Sequence, residues 1–159
     1  MNTNPGGISY HSANYVEFQV IEWFKEMLKY PSEASGLLTS GCSQANLIGL
    51  AVARNVKSGS DLRRRGLQSV PQRMVLYSSE QIHSSVTKAV ELLGLGAESL
   101  RQIPVNDDFQ IKLDLLKSAI KRDRDDGNLP FCVVGAAGTT NTGAVDNLDA
   151  LADLCKEED

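Results

Sequence analysis

Residues 36–55, GLLTSGCSQANLIGLAVARN, pass from an apolar run through a turn of small residues directly into a long apolar helix pattern. That order reads as a strand, a tight turn and a helix N-terminus. The first turn of a helix carries backbone N–H groups with no intrahelical partner, and the helix dipole adds partial positive charge there. Small residues at Ser40, Gly41, Cys42 and Ser43 let an anion approach that backbone, and hydroxyls add donors. The turn therefore reads as an anion cradle, above all for a phosphate. Taken alone, the same pattern also serves as a plain cap in many strand–helix connections.

The rest of the chain repeats the alternation. Val16, Val20, Trp23, Phe24, Met27 and Leu28 recur at helical spacing and stop near Tyr30-Pro31. Residues 57–72 are polar and contain glycine, which predicts a loop, with Arg63-Arg64-Arg65 as a solvated run inside it. Met74-Val75-Leu76-Tyr77 is a short buried strand. Ile82, Val86, Ala89, Val90 and Leu93 mark a helix closed by Gly94 and Gly96. Ile103-Pro104-Val105 is a short strand candidate, and Leu113, Leu116 and Ile120 mark a helix whose charged tail, residues 121–126, reads as solvated. Phe131-Cys132-Val133-Val134-Gly135 reads as the clearest buried strand, and Leu148, Leu151, Ala152 and Cys155 as a last helix. Strands alternating with helices predict an α/β fold: a mostly parallel sheet with helices on both faces. In such sheets ligands bind beyond the carboxyl ends of the strands. The loops 39–43, 78–83 and 135–140 are expected to leave such ends.

Bulk properties narrow the function classes. A chain of 159 residues with a net charge of −4 is the size of one domain, and its charge suggests neither a nucleic-acid nor a membrane-surface partner. The N-terminal stretch lacks a signal-peptide pattern. Cys42, Cys132 and Cys155 form no C-x-x-C pair, so neither a disulfide framework nor a metal site is expected. Cys132 and Cys155 read as buried thiols in a reducing compartment. Cys42, in the cradle, is either a filler of a small-residue position or a thiol activated by the helix N-terminus. His83, just past a strand at the start of a helix, can stack on a flat ligand, donate a proton or cap the helix. In the loop GAAGTTNTGAVD, small residues and hydroxyls make a close-approach surface, and Asp146 reads as the cap of the last helix.

Four segments, in order, resemble the group II pyridoxal-phosphate-dependent decarboxylases, which act on aromatic amino acids, histidine, glutamate and cysteine sulfinate. HSANYVEFQVIEWFKEML is similar to the leading helix of that family, with Glu17 and Trp23 in place. LLTSGCSQANLIGLAVARN is similar to its phosphate-binding turn, YSSEQIHSSVTKAVELLGLG to the segment whose histidine stacks on the cofactor ring, and PFCVVGAAGTTNTGAVDNL to the glycine-threonine-threonine segment beneath the cofactor. The resemblance implies pyridoxal 5'-phosphate as cofactor, with Gly41, Cys42 and Ser43 at its phosphate, His83 on its ring as the catalytic residue, and Ala136 and Thr139 lining it. Three positions depart from the usual pattern: Cys42 stands where glycine or alanine is common, Gln44 where glutamate is, and Ala136 where threonine is.

The resemblance also implies the fold type I transferase large domain, with residues 1–30 as a leading helix region and 36–159 as the α/β core. It implies a cytoplasmic homodimer that decarboxylates an amino acid, an aromatic L-amino acid foremost. The family's Schiff-base lysine follows a histidine, and an aspartate pairs with the pyridine nitrogen. Neither is present, so the chain reads as an N-terminal or internal fragment truncated before that lysine, and inactive alone. Two other readings stay open: another fold type I enzyme such as an aminotransferase or lyase, and a non-catalytic phosphate-binding α/β module.

Overall fold

The computed structural model describes residues 12–158. The chain divides into two compact units, Met1–Ala45 and Asn46–Asp159. In the first, α1 (Ser12–Leu28) is followed by an extended stretch. The helix stops in a Schellman pattern: Tyr30 N donates to Lys25 O (2.8 Å), Lys29 N donates to Glu26 O (3.2 Å), and Lys29 takes φ 53°. Pro31 then prevents continuation. The extended stretch is tied back by Glu17, whose Oε1 accepts from Leu38 N at 2.7 Å. Residues 36–39, expected as a strand, pair with no strand among the described residues. The Leu38 amide has a carboxylate partner instead, and Leu37 and Leu38 are exposed.

The second unit holds a three-stranded, all-parallel sheet in the order β2-β1-β3, with β1 Met74–Ser79, β2 Leu100–Ile103 and β3 Leu129–Val134. α4 (Ser84–Leu92) connects β1 to β2 and α5 (Leu113–Asp125) connects β2 to β3; α6 (Leu148–Glu157) closes the chain. Side chains along a strand alternate between faces, and β1 supplies both cores. Val75 and Tyr77 pack with Ile103, Leu116, Ile120, Leu151 and Leu154 on the α5/α6 face. Met74 and Leu76 pack with Val86, Ala89, Val90 and Phe131, and with Leu50 of α2 (Cys42–Lys57), on the other. The expected parallel sheet with helices on both faces is present.

Position in the sheet decides burial. β1 is central and buried at every residue, as a strand covered on both faces must be. β3, the segment that reads as the clearest buried strand, is a strand but lies at an edge, and of its residues only Phe131 is fully buried. The 57–72 segment is not a plain loop: it contains α3 (Leu62–Arg65) and a 3-10 turn, Leu67–Ser69, although Arg63, Arg64 and Arg65 are exposed as expected.

The charged tail of α5 is not wholly solvated either. Asp123 is 5% exposed. It accepts from Tyr77 Oη (2.9 Å), from Arg101 Nη2 (2.6 Å) and from Asn128 Nδ2 (2.8 Å). Burial pushes the Asp123 carboxyl up, but these three donors outweigh it and hold the group below its ordinary value. Burial, together with the hydrogen bond and charge of Asp123, pushes Tyr77 well above the usual phenol range. This buried cluster joins β1, β2 and α5.

Candidate functional site

The cradle begins at Gly41, whose carbonyl accepts from Gln44 N and Ala45 N, each at 3.1 Å, and so opens α2. Gln44 reaches back, its Oε1 accepting from Ser40 Oγ (2.7 Å) and Ser40 N (3.3 Å). This resembles the back-bond of a capping box, and glutamine's carbonyl serves where the resembled family has glutamate. Thr39 Oγ1 donates to Gly41 O at 3.0 Å. The amides of Cys42 and Ser43 and the Ser43 hydroxyl have no partner among the described residues. All three residues of the turn are exposed, and a Cβ at Gly41 would meet nothing within 4 Å. The turn thus offers unused donors at the positive end of a helix.

The second unit places the other expected residues. β1 and β3 are parallel neighbours, so the loops that follow them leave the same edge of the sheet. His83 lies beyond β1 as the N-cap of α4, its Nδ1 accepting from Ser85 N at 3.2 Å. Nδ1 also lies 2.9 Å from Ser85 Oγ, and Asn46 Nδ2 donates to that oxygen at 2.9 Å. The residue is otherwise exposed. Among the three alternatives for His83, capping is realised, and capping leaves the ring face and Nε2 available.

Beyond β3, Gly135 permits close packing: a Cβ there would lie 2.9 Å from Leu148 Cδ2 and 3.0 Å from Leu151 Cδ1. Ala136 is buried and its backbone is fully used: its N donates to Asp146 Oδ2 and its O accepts from Asp146 N, both at 2.8 Å. Only the Ala136 methyl can line a site. Thr139 N donates to Ala144 O (3.0 Å), and its Oγ1 shares a hydrogen bond with Thr142 Oγ1 (2.6 Å). Thr139 therefore holds the loop's shape.

Asp146 is not the cap of α6. Asn147 is, accepting from Ala150 N at 3.1 Å. Asp146 is buried and clamps two loops, with Oδ2 on Ala136 N and Oδ1 on Ile111 N, each at 2.8 Å. The D-N-L string signals a cap of either kind, and only the fold shows which residue turns inward. Ser85, Asn46 and the Asp146 clamp are contributions that sequence reasoning missed. The Gln44 back-bond was missed as well, because Gln44 lies four residues after Ser40 and the capping-box spacing is three.

Cys132 is mostly buried, and burial with the neighbouring Cys155 pushes its thiol up to about 11. Cys155, expected to be buried, is exposed, as is Cys42.

The model of the pyridoxal-dependent decarboxylase conserved domain matches residues 8–159. The chain belongs to the pyridoxal-dependent decarboxylase family. Relatives in this family include a protein of Bacillus atrophaeus named aromatic-L-amino-acid decarboxylase, 43% identical over 147 residues, an alignment spanning 92% of this chain and 29% of that protein. A solved structure described as the glutamate decarboxylase domain of a Vibrio parahaemolyticus diaminobutyrate-pyruvate transaminase and L-2,4-diaminobutyrate decarboxylase superposes with a TM-score of 0.87. It is 32% identical and the match covers 92% of this chain and 33% of that one. Oryza sativa TDC, solved with PLP and tryptamine, gives a TM-score of 0.76 at 29% identity, over 90% and 31% of the two chains. The chain thus spans about a third of the length of these family members.

The residues present fit the cofactor that the pyridoxal-dependent family implies. A phosphate ester takes donors and positive potential, and the first turn of α2 leaves two amides and a hydroxyl without a partner among the described residues. A flat aromatic ring takes a planar face, and the exposed His83 imidazole offers one.

Proposed function

We propose that the protein carrying this chain is a pyridoxal-phosphate-dependent amino-acid decarboxylase acting on aromatic L-amino acids, and that it works as a cytoplasmic homodimer. The observation that carries the reading is the set of donors at the start of α2 that have no partner among the described residues, in a chain of the pyridoxal-dependent decarboxylase family. The 43% identity to a protein named for aromatic amino acids supports the substrate class.

In this reading the Cys42 and Ser43 amides and the Ser43 hydroxyl bind the phosphate, and Gly41 keeps the approach to that backbone open. His83 would hold the ring. The Ala136 methyl and the loop shaped by Thr139 would line the cofactor. Pyridoxal phosphate supplies an electron-withdrawing ring that accepts the electron pair left as carbon dioxide departs. The chain's own residues bind, orient and shield.

The test is carbon dioxide release by the protein that carries this chain, with pyridoxal phosphate, from tryptophan, tyrosine, glutamate, 2,4-diaminobutyrate and cysteine sulfinate. Release from the aromatic substrates at the highest kcat/KM is the expected result. Preference for an acidic or diamino substrate would overturn the substrate class. Nucleotide binding with no pyridoxal-phosphate binding would overturn the reading as a whole.

A further inference from the structure

We infer that Ser85, held from behind by Asn46, is a positioning residue that fixes His83 as the Nε2–H tautomer and leaves that N–H for a ligand. The inference rests on the proposed function for the use of His83, but its geometry stands apart from it.

The argument begins at an atom whose role is not ambiguous. A backbone N–H only donates. Ser85 N donates to His83 Nδ1 at 3.2 Å, so Nδ1 is an acceptor and carries no proton in the neutral ring. The Ser85 hydroxyl lies 2.9 Å from the same nitrogen. Asn46 Nδ2 donates to Ser85 Oγ at 2.9 Å, which fills an acceptor position of the hydroxyl and turns its proton toward Nδ1. The chain Asn46 Nδ2–H to Ser85 Oγ–H to His83 Nδ1 therefore runs in one direction and leaves the ring proton on Nε2.

Burial explains why this pair can set the ring. Ser85 is 3% exposed while His83 is exposed, so the tie is sheltered and the ring it holds is not. Both ends of the relay stand on helices: Asn46 is in the first turns of α2 and Ser85 in the first turn of α4. The consequence is a division of labour within one imidazole. Nδ1 is committed to the protein, and Nε2–H is a hydrogen-bond donor offered to a ligand. His83 acts as an oriented plate with one donor left for a ligand.

Nitrogen NMR of the cofactor-free protein, labelled with 15N in its histidine rings, tests this. His83 signals are assigned by difference with His83→Gln. The parent should show Nε2 protonated and Nδ1 bare. Asn46→Asp nearly preserves shape but replaces the donor by a carboxylate, which draws the Ser85 hydroxyl proton toward itself. This variant should show a several-fold rise in the Nδ1–H tautomer, and Ser85→Ala, which keeps the amide of residue 85 on Nδ1, a smaller one. In the loaded enzyme both should lower kcat while cofactor affinity changes little. A parent with Nδ1 protonated, or variants with an unchanged tautomer ratio, would overturn the inference. A tautomer that shifts as expected while neither these variants nor His83→Ala alter turnover would leave the relay standing and overturn the catalytic use of His83.

Discussion

At the scale of single residues, the cradle and the cysteines make separable predictions. Gly41 has open space around its missing Cβ, so Gly41→Val should leave the fold intact while blocking approach to the α2 amides. Ser43→Ala removes one donor to a charged group, a loss of about 1.5–3 kcal/mol. In the full protein it should raise the pyridoxal-phosphate Kd by roughly tenfold or more, and Gly41→Val should raise it further. Fluorescence titration with the cofactor decides: parent-like constants in both variants would move the phosphate elsewhere. Thiol chemistry gives a second check. The thiolate is the reacting form, and burial with the nearby Cys155 pushes Cys132 up to about 11. Timed alkylation at pH 8 with peptide mapping should label Cys42 first and Cys132 last. Early modification of Cys132 would contradict its burial. The sequence made the place of Gly41, Ser43 and His83 at helix starts legible, because helix starts and strand ends have local signatures. It could not show Ser85 and Asn46 as partners, because they are 39 residues apart and only the packing of α2 against α4 joins them.

At the scale of elements, the Tyr77–Asp123–Arg101 cluster couples β1, α5 and β2 through a carboxylate held below its ordinary value. A depressed carboxylate contributes stability that is fully present above its unfolded value, about 3.9, and is lost as pH falls through the lower folded value. Urea unfolding followed from pH 7 down to pH 2 should therefore show an acid limb that is weakened in Asp123→Asn. Tyr77→Phe leaves Arg101 and Asn128 on the carboxylate and should cost about 0.5–1.5 kcal/mol at pH 7. An identical acid limb in parent and Asp123→Asn would refute the coupling. None of this was legible beforehand: residues 121–126 look like an ordinary solvated charge run, and the inward turn of Asp123 follows from its place on α5 facing the β1/β2 pair. The helix ends were legible, since Pro31 and Gly94 stop α1 and α4 by backbone chemistry alone.

At the scale of the whole molecule, the alternation of apolar runs and amphipathic stretches was enough to give a parallel sheet covered on two faces. It could not rank the strands, because β1 and β3 are both apolar and only strand order makes one central and the other an edge. Residues 36–39 show the limit of the same signal: an apolar run becomes a strand only with a neighbour to pair with. β3 has no strand on its outer side among the described residues, and α1 exposes Val16, Phe18, Trp23, Phe24, Met27 and Leu28. An unpaired edge and an apolar helix face both favour association. The isolated 159-residue chain is expected to self-associate at micromolar concentration. Sedimentation velocity checks this, and a single monomeric species across the concentration range would refute it.

The clamp at Asp146 has a consequence for how such a protein can change. Ala136 and Asp146 are joined by two backbone-anchored bonds, and Ala137 bridges Val145 just beyond them. The excursion between them leaves and returns through a closed neck. Its length and composition are thereby uncoupled from the strand before it and the helix after it. A change in the length of residues 138–144 is therefore expected to stay local to the loop and to leave β3 and α6 in place.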